Sequence, residues 1–76
     1  MSIKALVLVE TTVDKVTEVT AALMKLDEVT SSDAVAGPYD VIAIVEANDF
    51  TVIGHVVTAK IQAISGISRT IVCDTR

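Results

Sequence analysis

The chain has 76 residues, of which 51% are hydrophobic and only 3% aromatic, and its formal net charge is −4. This length gives one domain, residues 1–76, that buries only about 60% of its unfolded surface, so the apolar content exceeds what one small core usually hides. The six basic residues are scattered along the chain, which excludes a basic stripe and argues against direct binding of nucleic acid.

The first predicted element is a strand at residues 3–9, in which both alternating sets of side chains are apolar. Such a strand is typical of the centre of a sheet, and its apolar run is too short to span a membrane. Thr11 or Thr12 then offers an N-cap, with Asp14 in the first turn, for a helix that ends near Leu26. The buried stripe predicted for this helix is Val13, Val16, Thr20, Leu23 and Leu26.

Residues 27–36 predict a second strand, which is rich in Thr and Ser. Polar side chains of this kind suit a sheet edge or a face in contact with water. A Gly-Pro turn at residues 37–40 ends the strand. The third strand, Val41–Ala47, is apolar on both sides like the first, and therefore also predicts a central position.

Asn48 or Asp49 caps a second helix, which runs to about Ile64 and is stopped by a Ser-Gly pair that ends at Gly66. The last strand is predicted at Ile67–Asp74. The buried stripe predicted for the second helix is Phe50, Ile53, Val57, Ile61 and Ile64.

This order of elements predicts a ferredoxin-like α+β sandwich, in which both helices cover the same face of a four-stranded antiparallel sheet. Since the first and third strands are apolar on both sides, the other face would expose a patch of roughly several hundred Å². A second copy, packed face to face with two-fold symmetry, is the simplest cover. We therefore expect a homodimer formed through the sheet.

No pattern in the chain predicts catalysis. His55 falls on the polar side of the second helix and is expected to be solvated or at an interface. Cys73 has no histidine near it in sequence and is expected to be a small core or interface thiol. Asp40 and Asp49 stand at the two ends of one strand, about 25–30 Å apart at ~3.3 Å per residue, and cannot act on the same bond. One cysteine and one histidine give neither a disulfide framework nor a zinc site. We expect a cytoplasmic binding protein with no metal and no cofactor.

The turn at residues 37–40 has two interpretations. The first is structural, because Gly and Pro form turns and an Asp side chain bonds readily to the adjacent backbone. The second is a binding site for a small zwitterion, in which Asp40 binds the ammonium group and amides around Gly37 bind the carboxylate, with the Tyr39 hydroxyl beside them. The residues alone leave both interpretations open.

The run VAGPYDVIAIVEANDF, residues 35–50, followed by ISGISRTIVCD, residues 64–74, resembles the effector-binding (RAM) domain of the Lrp/AsnC family of transcriptional regulators. The resemblance covers essentially the whole chain. It implies an amino-acid effector bound between dimers, which assemble further, often into octameric rings. The ligand contacts that it implies are Ala36, Gly37, Tyr39, Asp40, Asp49 and Thr70. Val72 stands where many members carry a second Thr, which bears on the identity of the effector.

The resemblance also implies a stand-alone form of this domain, without the helix-turn-helix of typical members. Such a domain would sense an amino acid and co-assemble with full-length Lrp/AsnC regulators, and so modulate transcription without binding DNA itself. Two alternatives stay open. An ACT-like amino-acid sensor usually has a Gly in its first strand-to-helix turn, where this chain has Glu10, Thr11 and Thr12. A small dimeric α+β barrel enzyme needs a polar pocket, where this chain has aliphatic core positions.

Overall fold

The computed structural model describes residues 2–12 and 14–74. The elements, in chain order, are β1 Ile3–Thr11, α1 Val16–Met24, β2 Val29–Ala34, β3 Val41–Ala47, α2 Phe50–His55 and β4 Ile67–Asp74. The predicted order of strands and helices is confirmed, and with it the ferredoxin-like α+β fold. In the described ranges, neither helix has the length and apolar character needed to cross a bilayer.

The four strands pair in the order β2-β3-β1-β4, and each neighbouring pair is antiparallel. The two strands predicted as central are therefore central, and the polar strand β2 lies at an edge as predicted. The register is regular between β1 and β3, while the pairing of β1 with β4 shifts by one residue between Glu10 and Thr11. Leu8 pairs with Ile42 on one side and with Ile71 on the other.

One face of the sheet packs against the helices and forms the core. Its fully buried positions in the central strands are Ala5, Val7, Val9, Val41, Ala43 and Val45. From the helical side, Leu23, Ile53 and Ile61 are equally buried. Fully burying one such side chain contributes roughly 1.5–3 kcal/mol, so this layer is the main source of stability.

Within residues 2–12 and 14–74, neither helix packs on the other face of the sheet. Cross-strand pairing places these apolar side chains together on that face: Leu6, Leu8, Ile42, Ile44 and Ile71. We call this set the open face. Four of its members are half-buried by their neighbours, and Ile71 is 37% exposed. The expected apolar surface is therefore present, while its cover by a second copy stays a prediction.

The predicted N-cap of α1 is wrong, because the end of the sheet engages both threonines. The backbone N–H of Thr11 donates to Oδ2 of Asp40 at 2.9 Å, which extends β1 beyond its predicted end at residue 9. The N–H of Thr12 donates to the carbonyl of Gly66 at 2.8 Å. The helix begins later, after Lys15, whose side chain makes no capping hydrogen bond.

The predicted first turn and buried stripe of α1 also change. Asp14 lies before the helix, in a left-handed conformation with φ of 67°. Val13, predicted in the stripe, lies outside the described residues. Val19, rather than the predicted Thr20, is fully buried, and Thr20 uses its hydroxyl to donate to the carbonyl of Val16 at 2.7 Å.

Asp49 caps α2 as predicted, because its Oδ1 accepts the N–H of Val52 at 2.9 Å. Phe50, predicted in the buried stripe, is instead 39% exposed. The last cross-strand pair between β1 and β3 joins Ile3 to Ala47. The helix starts at Phe50, and its first fully buried side chain is Ile53, so Phe50 precedes the part of α2 that packs on the core.

Beyond His55, the second helix widens into a π-helical segment, Val56–Ile61. The N–H of Gln62 accordingly donates five residues back, to the carbonyl of Val57 at 2.9 Å. The wider turn shifts the buried stripe, so that Val56 and Val57 are both buried where the regular helical period predicted only the second.

Gly66 occupies a position that other residues would strain. Its φ is 101°, and a Cβ placed there would lie 2.9 Å from the Cβ of Lys15. We expect Gly66→Ala to lower the free energy of unfolding by about 1–3 kcal/mol. Urea unfolding followed by circular dichroism measures this loss. Gly54→Ala is the matched control, since Gly54 is helical with open space around it and should gain up to about 1 kcal/mol.

Candidate functional site at the turn between β2 and β3

Asp40 fastens the turn to the end of β1. Its carboxylate Oδ2 accepts the N–H of Thr11 at 2.9 Å and the Thr11 hydroxyl at 3.3 Å. Its own N–H donates to the carbonyl of Val9, and its carbonyl accepts the N–H of Val35, both at 2.9 Å. Asp40 thus holds a fixed, half-buried position, and Oδ1 is the carboxylate oxygen that these bonds leave available.

The segment before Asp40 presents unpaired backbone to solvent. Ala36, Gly37 and Pro38 are all exposed. Gly37 has φ of 145° and open space around its Cα, so the backbone itself forms the surface at this point. Within the described ranges, the N–H groups of Ala36 and Gly37 donate to no protein acceptor. They are available to an anionic group of a ligand.

Tyr39 is held by a residue that the sequence patterns did not single out. Nη2 of Arg69 donates to the Tyr39 hydroxyl at 2.9 Å, and the guanidinium carbon lies 5.7 Å from the centre of the ring. The hydrogen bond to Tyr39, with a smaller contribution from the charge of Glu10, raises the pKa of Arg69 above its ordinary value. The contact joins the turn to β4 across the end of the sheet.

A polar cavity of about 310 Å³ adjoins β4. Its lining residues are Gln62, Ile67, Ser68, Arg69 and Thr70. Nε2 of Gln62 donates to the Thr70 hydroxyl at 3.0 Å, which fixes the orientation of both side chains. The Ser68 hydroxyl donates to Glu10, whose carbonyl oxygen lies at 3.0 Å and whose Oε1 lies at 3.3 Å from Oγ of Ser68. Among the described residues no carboxylate lines the cavity, so its chemistry is that of hydroxyl and amide groups and one cation.

The predicted contact residues do not all meet within one chain. Thr70 pairs with Val9, which pairs on its other side with Val41. Two strand spacings, or roughly 10 Å, therefore separate Thr70 from the start of β3, where the turn ends. Asp49 lies at the opposite end of β3 and caps α2. Within the chain, the turn and Thr70 share one end of the sheet, and Asp49 belongs to the other.

Two further side chains singled out in the sequence are a histidine and a cysteine. His55 is exposed at the last position of α2, and Cys73 is a half-buried free thiol. Across residues 2–12 and 14–74, no three side chains of His, Cys, Asp or Glu come together as a metal site requires. The geometry suits binding of a small polar molecule, with backbone donors, one free carboxylate oxygen and one guanidinium.

A sequence model described as the Lrp/AsnC ligand binding domain matches residues 4–73, which is nearly the whole chain. No curated protein matches the chain in sequence. The matched range includes the turn, both helices and the residues that line the cavity. The residues from which the resemblance was inferred, 35–50 and 64–74, lie almost entirely within it.

Solved structures of the same shape agree with this match. The crystal structure of TTHA0845 from Thermus thermophilus is 33% identical with a TM-score of 0.87, over 92% of this chain and 88% of that one. The structure of FFRP-DM1 is 28% identical with a TM-score of 0.91, over 97% and 99% of the two chains. Escherichia coli AsnC is 25% identical with a TM-score of 0.85; 92% of this chain aligns with 48% of AsnC.

Proposed function

Because the chain belongs to the Lrp/AsnC ligand binding domain family, we propose that it senses an amino acid and assembles with further copies of itself. One observation carries the proposal: the exposed backbone of Ala36 and Gly37, with no acceptor for its N–H groups among the described residues, belongs to the same short turn as the fixed carboxylate of Asp40. Donors for a carboxylate and an acceptor for an ammonium group thus lie within one short turn. This is the pair of charges that every amino acid carries.

In the proposed site, the N–H groups of Ala36 and Gly37 donate hydrogen bonds to the α-carboxylate. Oδ1 of Asp40 accepts a hydrogen bond from the α-ammonium group. The Tyr39 ring closes one side of the ligand, held in place by its contact with Arg69. Thr70 contributes a hydroxyl from the adjoining cavity. Asp49 lies at the far end of β3, so it reaches a ligand only from a neighbouring copy. The complete site would therefore form between copies.

Self-association is the second half of the proposal. The open face is apolar across three adjacent strands, and in the part of the chain that the structure describes both helices pack on the opposite face. A second sheet packed on it removes this surface from water, which is the main favourable term in association. Dimers formed in this way would assemble further, in rings of the octameric kind, and would also join full-length Lrp/AsnC regulators.

The role in transcription is proposed to be indirect and non-enzymatic. A formal charge of −4 with scattered basic residues offers no surface for the phosphates of DNA, so an effect on transcription would pass through a regulator partner. The family to which the chain belongs is described as a ligand binding domain, which supports a non-enzymatic role. A cytoplasmic location is part of the same proposal, since the chain's single cysteine is a free thiol.

Thermal unfolding against each of the twenty amino acids tests the sensing function, with the mass of the protein followed by light scattering. A true effector at about 100 times its Kd should stabilise the protein by about 2.7 kcal/mol. Analogues of that effector that lack the ammonium or the carboxylate group serve as matched controls and should stabilise far less. If none of the twenty amino acids stabilised the protein, the proposed function would be overturned.

A further inference from the structure

Among the described residues, the positively charged side chain of Arg69 forms no ion pair with a carboxylate. Two other cations at the surface have acidic partners: Nζ of Lys15 lies 3.2 Å from Glu18, and Nζ of Lys60 lies 2.8 Å from Glu28. In the described part of the chain, no acidic oxygen lies within 4 Å of the Arg69 guanidinium, whose hydrogen-bond partner is the Tyr39 hydroxyl. The charge is therefore available to an anion.

The guanidinium of Arg69 is already oriented. A hydrogen bond of 2.9 Å and the ring of Tyr39 at 5.7 Å restrict the long side chain, so binding an anion has less side-chain freedom to remove. Of the five N–H donors of a guanidinium, the bond to Tyr39 uses one. The others allow the two-point contact with a carboxylate that arginine forms and lysine does not.

The surroundings of Arg69 also favour an anion. The adjoining cavity contains the amide of Gln62 and the hydroxyl of Thr70, and none of the described residues that line it is a carboxylate. Its volume of about 310 Å³ is near the lower limit for small-molecule sites, so it suits a metabolite rather than a large cofactor. The contact with Tyr39 brings the guanidinium to the turn at which the amino-acid head group is proposed to bind.

We propose that Arg69 binds a second carboxylate of the ligand, so that the site selects an acidic amino acid. This inference rests on the proposed function, which assigns the α-carboxylate to the N–H groups at Gly37 and the ammonium group to Asp40. With both head groups placed there, the side chain is the part of the ligand that reaches Arg69. A carboxylate at its end finds a charged, oriented partner, whereas a carboxamide of the same shape finds only a hydrogen-bond donor.

Glu10 sets a limit on this selectivity, because it is the acidic residue paired with Arg69 across the strands. Its Oε1 lies 3.3 Å from the hydroxyl of Ser68, and it forms no ion pair with the guanidinium. Its negative charge nevertheless opposes a bound anion. Replacing it with glutamine should therefore increase the affinity for an acidic ligand, which is the opposite of the effect of replacing Arg69.

Calorimetric titration of the assembled full chain with L-glutamate, L-aspartate, L-glutamine and L-asparagine tests the inference. The tighter of the two acids should bind at least about tenfold better than its own amide, the size expected of a charge-assisted bond. In Arg69→Gln, the affinity for the acid should fall by about tenfold or more while the affinity for the amide stays within about threefold. Glu10→Gln should bind the acid more tightly. Arg69→Lys should recover part of the loss, since it keeps the charge without the two-point geometry.

The amide ligands separate a binding role of Arg69 from a structural one. A variant whose turn is merely displaced would lose acid and amide alike, and that result would overturn the inference. Binding of a neutral amino acid with no preference for acids would overturn the inference and leave the proposed function standing. Failure of all twenty amino acids to bind would remove the proposed function, and the inference with it.

Discussion

A Leu8→Lys variant is expected to fold as a single chain and to lose self-association entirely. Leu8 lies at the centre of the open face, between Ile42 and Ile71 on the neighbouring strands. In the free chain, a lysine at this position extends its ammonium group into water. In a face-to-face dimer the same group is enclosed between two apolar sheets, at an effective cost of several kcal/mol per ion, on the order found for unpaired buried charges. Sedimentation velocity and circular dichroism measure mass and folding together.

Two control variants separate the open face from the core and from general effects of charge. Val7 is adjacent in sequence but faces the helices with 0% exposure, so Val7→Lys should unfold the chain. Thr17 is exposed on α1, so Thr17→Lys should keep both the fold and the mass of the wild type. A folded Leu8→Lys protein with the mass of the wild type would contradict the assignment of the open face as the interface.

The second large effect is expected for Asp40→Ala, which should reduce both stability and ligand affinity. Removal of the carboxylate leaves the N–H of Thr11 without its acceptor at the end of β1, at a cost of about 1–3 kcal/mol. The ligand's ammonium group loses its partner in the same step, which should weaken binding by about 2 kcal/mol or more. Urea unfolding gives the first quantity and calorimetric titration gives the second.

Asp40→Asn separates these two roles, because its amide oxygen still accepts from Thr11 but has no charge. It should unfold close to the wild type and bind the amino acid as poorly as Asp40→Ala. Asp33→Ala, at an exposed carboxylate on β2, is the control for loss of a negative charge alone. If Asp40→Asn bound the ligand as tightly as the wild type, Asp40 would keep its structural role and leave the proposed site.

The sequence predicted the sheet well because two-sided apolar strands have a clear signature. The bounds of β3 and β4 agree with the structure, and the central and edge positions of the strands follow from side-chain polarity alone. The unequal cover of the two faces was also predictable, since two helices on one side cannot shield the other. Each of these features depends on the local alternation of side chains, which a sequence contains in full.

The errors in the helices arise where contacts distant in sequence override local signals. Thr11 and Thr12 have the chemistry of N-caps. In the fold, however, they form hydrogen bonds with Asp40 and Gly66 instead of capping the helix. The π-helical segment Val56–Ile61 changes the helical period, and no local residue pattern indicates it. Local preference is a weak guide at such positions. A tertiary hydrogen bond of similar strength replaces the helix cap where the fold brings its partner close.

For the candidate site, the turn was predictable and its connection to β4 was not. Gly37, Tyr39 and Asp40 stand out in the sequence, whereas Arg69 lies 30 residues from Tyr39 and contacts it only after the sheet has formed. A signal did exist in the sequence, since Arg69 lies two residues before the apolar Ile71 and therefore on the same open side of an edge strand. A cation at such a position needs a partner, but the sequence alone does not say which.

Sedimentation equilibrium of the wild-type protein over a range of concentrations is the most direct measurement of the central claim, that a second copy covers the open face. The result we predict is a mass at least twice the 8.0 kDa of one chain throughout the micromolar range. A mass of 8.0 kDa that persists at high concentration would mean that the apolar surface is stable in water. The interface and the ligand site shared between copies would then both be wrong.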